Sequence, residues 1–318
     1  MATSGSFNYS INGTLIIKNA LIDAGILRDD QTVESDMETF ALYRLNLLLK
    51  SLQSVGLHLW RTKDTTLLLE SGKSDYTLGE GGDRYAETIH ETTLTSGVSS
   101  GGQNLTIESN ANMNLNDVIG IELDDGTVDW TTIDAVSTST LATVASGLSS
   151  AASSGNKVYS YTSVAPQPLK IHEGYVVQKD SPNNQTPVNI ISNNEYMYLN
   201  NKTTSSGYPN QIQFRPEIST SELRVWPVPD NNTTKLVMTV ELPLEDIDAV
   251  ADDLAMPSYW FEAIHTAMVY QLGKSYAAPR DSVRMFKKDA EEAKEEAKAF
   301  GVENTYIQIV PEGYNYNV

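Results

Sequence analysis

The sequence of 318 residues contains no cysteine and only four histidines. Without cysteine, the chain cannot form disulfide bonds, use a thiolate nucleophile or bind zinc through sulfur. No two of the histidines have the spacing of a metal-ligand pair: His58, His90, His172 and His265. We therefore predict no metal site and no cofactor, and we interpret each histidine as a surface or hydrogen-bonded residue.

Basic residues are also scarce, since 22 Lys and Arg face 41 Asp and Glu and give a net charge of −19. Proteins that hold DNA neutralise its phosphates with Lys and Arg. The only basic cluster is Arg284 with Lys287 and Lys288. The composition argues against strong DNA binding and suits a conduit that repels its cargo, although a soluble acidic protein without that role has the same charge.

Long hydrophobic runs are missing as well. The longest, such as Leu67–Leu69, are far too short to cross a bilayer. Residues Met1–Ser10 have neither the basic nor the apolar segment of a signal peptide. We expect a soluble protein that is made in the cytoplasm and has no membrane partner.

Helical periodicity predicts two helices near the start of the chain. We expect Thr14 to cap a helix over Leu15–Ala24 that Gly25 ends. The sequence Ser35–Glu38 fits a capping box at the start of a second helix, which continues to Gly56. Short strands follow at Thr66–Leu69 and Tyr76–Leu78, by their apolar alternation.

The composition changes sharply at Tyr85, since no Lys or Arg occurs from there to Asn156 and Ser, Thr, Gly and Asn dominate. Alternating apolar residues around the turn Asp124–Thr127 predict a β-hairpin of Val118–Leu123 and Val128–Ile133. Two similar phrases flank the hairpin, as matching turns do: Ser96–Ser100 and Ser146–Ser150. We predict an inserted β-barrel-like domain over residues 83–162. Disorder is the alternative, against which the alternation and Trp130 argue.

The main fold resumes after about Thr162 with five predicted strands: Leu169–Val177, Val188–Ile191, Gln211–Arg215, Leu223–Trp226 and Lys235–Leu242. A helix with Pro257 in its first turn follows, and its core positions have helical spacing: Trp260, Ile264, Met268, Leu272 and Tyr276. We predict an α+β fold in which residues 1–82 and 163–300 form a helical bundle with a small β-sheet or sandwich core. Residues 301–318 are predicted to form an extended C-terminal tail.

The last predicted helix, Asp281–Phe300, has a narrow heptad seam: Phe286, Ala290, Ala293, Ala297 and Phe300. Small residues in such a seam indicate close packing against one helix, in the same chain or in an adjacent subunit. The tail is aromatic and apolar, and such a segment docks readily onto a partner. We predict that the seam forms an assembly interface together with five tail residues: Tyr306, Ile307, Ile309, Tyr314 and Tyr316.

Carboxylates are plentiful, so the enzymatic hypothesis to test is a glycosidase-like pair of them. Two sets are dense enough to test: Glu241, Glu245, Asp246 and Asp248, and Asp124, Asp125 and Asp129. Neither set has the aromatic and polar partners of a sugar cleft at a recognisable spacing. Asp124–Thr127 lacks the remaining ligands of an EF-hand, and no phosphate-binding loop or nucleophile elbow is present. We predict no catalytic residue and no enzyme.

Short segments occur in a characteristic order along the second half of the chain: Asn194–Lys202, Gly207–Phe214, Glu222–Asp230, Leu242–Asp248 and Met256–Ile264. This series resembles the head-to-tail adaptor family of short-tailed bacteriophages, also called tail accessory or head completion factors. The residues that carry the resemblance are Trp226, Pro227, Pro229, Asp246, Pro257 and Trp260. The likeness covers roughly residues 14–82 and 163–280, and the inserted domain lies outside it.

The resemblance implies a structural virion protein of the neck and tail, assembled in the host cytoplasm. Its copies, expected to be twelve, would form a ring below the portal protein that extends the DNA channel. The ring would offer a docking platform for tail nozzle, hub or fibre proteins, and the genomic DNA would pass through without specific binding. In this family the helical part forms the ring and the C-terminal extension lies along the portal.

Two other functions stay open at this point. A virion-associated peptidoglycan hydrolase would depend on one of the acidic residues. A carbohydrate-binding tail protein would use the inserted domain, in which Trp130 is the conspicuous aromatic residue.

Overall fold

A computed structural model describes residues 9–54, 59–178 and 181–300. The chain is a mixed α+β protein, with about 27% helix and 31% strand. It divides into a helical unit, formed by residues up to Arg61 and from Leu244 onward, and a β unit, Thr62–Pro243. The helices near the two ends of the chain lie in the first unit, and all the strands of the described residues lie in the second.

Within the described residues, the α-helices are α1 (Gly13–Asp23), α2 (Ser35–Gln53), α3 (Asn193–Tyr198), α4 (Phe261–Ser275) and α5 (Arg280–Phe300). The strands are β1 (Thr62–Leu68), β2 (Asp75–Leu78), β3 (Tyr85–Ala86), β4 (His90–Thr93), β5 (Asn104–Thr106), β6 (Val118–Glu122), β7 (Val128–Thr138), β8 (Leu141–Val144), β9 (Lys157–Tyr161), β10 (Lys170–Gln178), β11 (Ser181–Pro187), β12 (Asn189–Ile190), β13 (Gln211–Pro216), β14 (Ser221–Trp226) and β15 (Lys235–Glu241).

In the helical unit, α1, α2, α4 and α5 pack around one hydrophobic core. Its innermost side chains have almost no exposed surface: Ile16, Leu21, Leu45, Trp260, Ile264, Met268 and Leu272. Three of these, Trp260, Ile264 and Met268, repeat every four residues, so one face of the segment that contains α4 forms the centre of the unit. The predicted core positions of this segment are confirmed except Tyr276, which is 36% exposed.

The start of α1 differs from the prediction. Its cap is Asn12, whose side chain accepts a hydrogen bond from the Leu15 N–H at 3.0 Å. Thr14 lies inside the helix, and its hydroxyl donates to the Val250 carbonyl instead. The predicted cap was wrong because the extended residue that can reach the free N–H groups lies two positions earlier. Gly25 ends the helix with a φ of 72°, as predicted.

The predicted capping box of α2 is also wrong. The extended residue before the helix is Glu34, so Ser35 is already helical and its hydroxyl caps nothing. A capping box needs Ser35 outside the helix, with Glu38 at the third helical position. The helix itself is confirmed, although it ends at Gln53 rather than at Gly56.

In the β unit, two sheets contribute to one core. The first has the order β11-β10-β15-β1-β3 and the second β12-β13-β14-β2. Core residues of the first include Leu67 and Met238, and those of the second include Tyr76 and Val225. The five strands predicted after Thr162 are confirmed as β10, β12, β13, β14 and β15.

Several elements of the β unit were not predicted individually, among them β11 and α3. Strand β11 has the polar sequence Ser181–Pro187 and pairs with β10 at the edge of the first sheet. Helix α3 has only six residues and starts with a capping box of Ser192 and Glu195. Neither has the apolar periodicity that reveals a longer element.

The third sheet, β4-β9-β6-β7-β8-β5, is curled and has its own core. The predicted hairpin is confirmed, since β6 pairs with β7 around the turn at Gly126. The two similar Ser/Gly segments lie side by side, because the Ser100 hydroxyl donates to the Ser149 carbonyl at 3.1 Å. The edges of the sheet approach each other at a bridge between Leu94 and Ile107.

Candidate functional site

Most of the predicted seam of α5 is covered within the chain. Ala290 and Ala297 are buried, and Phe286 and Ala293 pack partly buried against the core of the helical unit. The neighbouring helix that the sequence left open is therefore α4 of the same chain. Only Phe300 is largely exposed, at 74%, with its ring 4.7 Å from that of Tyr259.

The assembly role of the seam stays a prediction, and Phe300 is the seam residue that a partner can reach. The tail residues predicted for the same interface, Tyr306, Ile307, Ile309, Tyr314 and Tyr316, lie outside the described residues. So does His58.

A groove runs along α4 between α2 and α5. It has two sections of about 200 and 440 Å³ that share Tyr270 and Gln271 of α4. Its walls combine small and aliphatic side chains with cations: Arg44, Leu47, Leu48, Ser51 and Leu52 from α2, Ala263, Ala267, Lys274 and Ser275 from α4, and Lys287, Ala290, Glu291 and Lys294 from α5. The smaller section lies between α2, α4 and α5, whereas the larger section lies between α2 and α4.

The charge of this groove is opposite to that of the chain. Its lining contains four cations and a single carboxylate, Glu291, which pairs with Lys287 at 3.4 Å. Lys274 and Lys294 form no salt bridge with a described residue, although the charge of Lys294 helps to lower the pKa of the neighbouring Glu295. Arg44 packs over the Phe40 ring, and its Nε is buried without a hydrogen-bond partner among the described residues. The groove can therefore accept an apolar segment with acidic groups at its edges.

The segments that carry the family resemblance in the β unit contact one another. The Trp226 indole donates to the Asn200 carbonyl at 3.2 Å, and the Arg224 guanidinium lies 5.3 Å from the centre of the Tyr196 ring. Strands β13 and β14 pair from Gln211 to Pro216, and the peptide bond between Trp226 and Pro227 is cis. Pro229 accepts a hydrogen bond from the Gly72 N–H. The three segments thus form one continuous structure around β14.

The resemblance residues of the helical unit have structural contacts too. Asp246 pairs with Lys50 at 2.6 Å, and the adjacent Ile247 exchanges two hydrogen bonds with Asn46 of α2. Pro257 immediately precedes the short 3-10 helix Ser258–Trp260 rather than lying in its first turn. Trp260 is 1% exposed, so its indole belongs to the core.

The curled sheet is joined to the first sheet through Glu91 of β4. Its carboxylate hydrogen-bonds Lys157 of β9 at 2.5 Å and also Lys235 of β15. Burial raises the pKa of the Glu91 carboxyl, but the hydrogen bonds and charges of the two lysines outweigh burial and hold it below its usual range. Asn232 adds a second link, because its amide donates to the Gly126 carbonyl at 2.7 Å.

The candidate carboxylates of the inserted domain hold turns. Asp124 accepts hydrogen bonds from the Ser153 N–H and hydroxyl, and the backbone bond is the main reason why its pKa is lowered. Asp125 accepts two from Thr127, which likewise lower its pKa. Asp129 accepts from the Ser149 N–H at 2.7 Å. These contacts bind the carboxylates to the turn and loop backbones around the hairpin.

The second set of carboxylates is divided between two units. Glu241 is buried in β15, with His172 at 3.9 Å, whereas Glu245, Asp246 and Asp248 lie in the exposed link before α4. His265 contacts Asp23 at 2.7 Å. Among the described residues, no group of three or more His, Asp or Glu side chains could hold a metal ion.

Trp130 is half-buried, and its ring packs against two neighbours. The Arg84 guanidinium lies 4.8 Å from the ring centre, and Gly120 of β6 approaches so closely that a Cβ there would meet the indole at 2.5 Å. A sugar that stacks on a tryptophan needs a free ring face. The residue that favoured glycan binding is therefore a packing residue of the curled sheet.

Comparison with models of known protein families and with curated proteins gave no match. In the part of the chain that the structure describes, no helix is long and apolar enough to cross a membrane. The surfaces described above are therefore interpreted from their own geometry and chemistry.

Proposed function

We propose that this protein is a head-to-tail adaptor of a short-tailed bacteriophage. In this proposal it is a structural protein of the virion neck, and its copies form a ring below the portal that extends the DNA channel. The portal binds one side of the ring, and tail nozzle, hub or fibre proteins bind the other. The observation that carries the proposal is the ordered series of segments from Asn194 to Ile264.

The contacts of these segments support the proposal. Residues that are separated in sequence meet around β14, through Trp226 with Asn200 and Arg224 with Tyr196. Because these segments pack on one another, they form one structural pattern. Their order along the sequence therefore has a physical reason. Two further resemblance residues have structural contacts. Trp260 is buried in the core, and Asp246 pairs with Lys50 of α2.

We propose a finer architecture within the α+β fold. The helical unit corresponds to the helical bundle expected for the adaptor, and the two sheets with a shared core correspond to a small sandwich. The curled sheet corresponds to a barrel-like insertion, supported by the bridge between its edges at Leu94 and Ile107.

The same contacts weaken the two alternative functions. A peptidoglycan hydrolase needs carboxylates that face a substrate, whereas Asp124, Asp125 and Asp129 bind backbone N–H groups. A glycan-binding domain built on Trp130 needs an open ring face, whereas Arg84 and Gly120 pack against this ring.

Native mass spectrometry of the protein mixed with its portal ring tests the proposal. We expect one copy to add per portal subunit, and a ring to form only in the presence of the portal or at high concentration. A variant at the exposed end of the seam, Phe300→Ser, should lower the occupancy, whereas Met285→Ser on the same helix should not. A stable monomer that never binds the portal would refute the adaptor assignment.

A further inference from the structure

The groove between α2 and α5 has the properties of a docking site for a peptide segment. Its floor is apolar, with Ala263 and Ala267 of α4, and one wall is formed by Leu48 and Leu52 of α2. Apolar area that stays open to water costs free energy, roughly 25 cal/mol per Å², so an occupant that covers it is stabilised. Three properties identify the occupant: the charges that line the groove, the length of the candidate segment and its connection to α5.

We infer that the groove binds residues 301–318 of the same chain. The inference concerns the protein before any assembly and does not depend on the adaptor function. The segment has apolar and aromatic side chains at Tyr306, Ile307, Ile309 and Val310, and it has the carboxylates Glu303 and Glu312 but no Lys or Arg. It is therefore both hydrophobic and acidic.

The charges of groove and segment are complementary. Acidic residues outnumber basic residues in the chain by 41 to 22, yet the groove has four cations and one carboxylate. Lys274 and Lys294 stand at its two ends without a salt bridge to a described residue. Glu303 and Glu312 are nine positions apart, or roughly 30 Å in an extended chain, so they can reach opposite ends of the groove.

The reach of the segment fits the same chain. The groove extends along α4 from Ala263 to Lys274, about 17 Å at the helical rise. Phe300, which precedes the segment, lies two turns beyond Lys294 at one end of the groove. Eighteen residues extend up to about 60 Å, so the segment can turn back and run the full length of the groove. A tethered segment also has an effective concentration in the millimolar range, far above that of a segment from another copy.

Disulfide trapping tests the inference in the full-length protein. The chain has no cysteine, so any disulfide must join introduced thiols. One cysteine replaces Gln308 of the segment, between Ile307 and Ile309, and the other replaces Ser51 in the groove. In the matched control the second cysteine replaces Glu292 of α5, whose side chain is 60% exposed and does not line the groove.

We expect mild oxidation to link Ser51→Cys to Gln308→Cys within one chain, on the order of ten-fold faster than Glu292→Cys. Adding Lys274→Glu and Lys294→Glu should abolish this difference. Arg284→Glu with Lys288→Glu changes the net charge equally away from the groove and should preserve it. Circular dichroism shows whether each variant is folded. As a second measurement, amide hydrogen exchange of residues 301–318 should be slower in the unmodified protein than in the Lys274→Glu/Lys294→Glu variant.

Equal rates for the groove and control cysteines, with no difference in hydrogen exchange, would overturn the inference. A disulfide-linked dimer that becomes dominant as concentration rises would assign the groove to the segment of a second copy, and would overturn the assignment to the same chain.

Discussion

Replacing Glu91 by Gln should destabilise the β unit, because this carboxylate connects two sheets. Glu91 lies on β4 of the curled sheet and hydrogen-bonds Lys157 of the same sheet and Lys235 of the first sheet. Glutamine has the same shape and can still accept a hydrogen bond, so the substitution removes mainly the charge. Two lysines would then face each other without a counter-charge.

The size of the effect follows from the exposure of the three side chains, which is 25% for Glu91, 28% for Lys157 and 23% for Lys235. Exposed ion pairs contribute about 0–1 kcal/mol, whereas removing one partner of a buried pair costs about 3–5 kcal/mol. A cluster that is three-quarters buried lies between these limits. We expect Glu91→Gln to lower the free energy of unfolding by about 2 kcal/mol at pH 7.

The effect should depend on pH in a defined direction. The pKa of Glu91 is lowered in the folded protein, so its contribution is fully present above the unfolded value of about 4.3. The contribution is lost as the pH falls through the lower folded pKa, because the carboxylate is then protonated. The difference in stability between the wild type and Glu91→Gln should be constant from about pH 7 to 5 and should shrink below about pH 4.

Urea unfolding followed by tryptophan fluorescence, combined with hydrogen exchange of the β4 and β9 amides, measures this difference. The matched control is Glu87→Gln, since Glu87 pairs with Lys63 at 2.9 Å but their side chains are 38% and 53% exposed. That control should cost less than about 1 kcal/mol. A Glu91→Gln cost that equals the control, or that is unchanged at pH 3, would refute the reasoning.

Three further substitutions, one of them with a matched control, have expected outcomes. Gly120→Ala places a Cβ 2.5 Å from the Trp130 ring and should cost about 1–3 kcal/mol, with a shift in tryptophan emission as the ring moves. Asn12→Ala removes the cap of α1 and should cost about 0.5–2 kcal/mol in urea unfolding, whereas Ser35→Ala should cost less than about 0.5 kcal/mol. Ala297→Leu overfills a position that is 4% exposed and should lower the thermal stability of the helical unit, by about 1–3 kcal/mol.

The elements that the sequence revealed were those with a strong apolar period. Trp260, Ile264 and Met268 predicted α4, and the alternation of Ile119 and Ile121 predicted the hairpin of β6 and β7. Residues at these positions are buried in the structure because the period places them on one face. Polar or short elements such as β11 and α3 lack that signal and become ordered through their neighbours.

Helix caps were harder to predict, because several residue types near a helix start can accept a hydrogen bond. Asn12 and Thr14 both have suitable side chains, and only the backbone conformation decides which one caps α1. Ser35 and Glu38 have the right spacing for a capping box, yet the helix begins one residue too early for it to form. The spacing of residues in the sequence therefore predicts a capping motif only when the first residue of the helix is already known.

The candidate surfaces depended on long-range contacts that no local pattern contains. The basic groove combines residues of α2, α4 and α5, which are separated by up to about 250 positions in the chain. The connection between Glu91 and Lys235 likewise joins elements 144 residues apart. The seam of α5 was visible in the sequence, but its partner was not, because a heptad pattern gives the face of a helix and not the identity of its neighbour.

The packing of that seam restricts how α5 can take part in a ring. Ala290 and Ala297 are buried against their own chain, so a contact between copies has to use the exposed side of the helix. On this side Lys288 pairs with Glu292 at 3.2 Å while their side chains stay 74% and 60% exposed. Such a pair contributes only about 0.3–0.5 kcal/mol, so its charges can change partners at little cost. Charge complementarity would therefore set the register of a ring contact through α5. This contact would weaken as the ionic strength rises, whereas the apolar packing of the seam within the chain would persist.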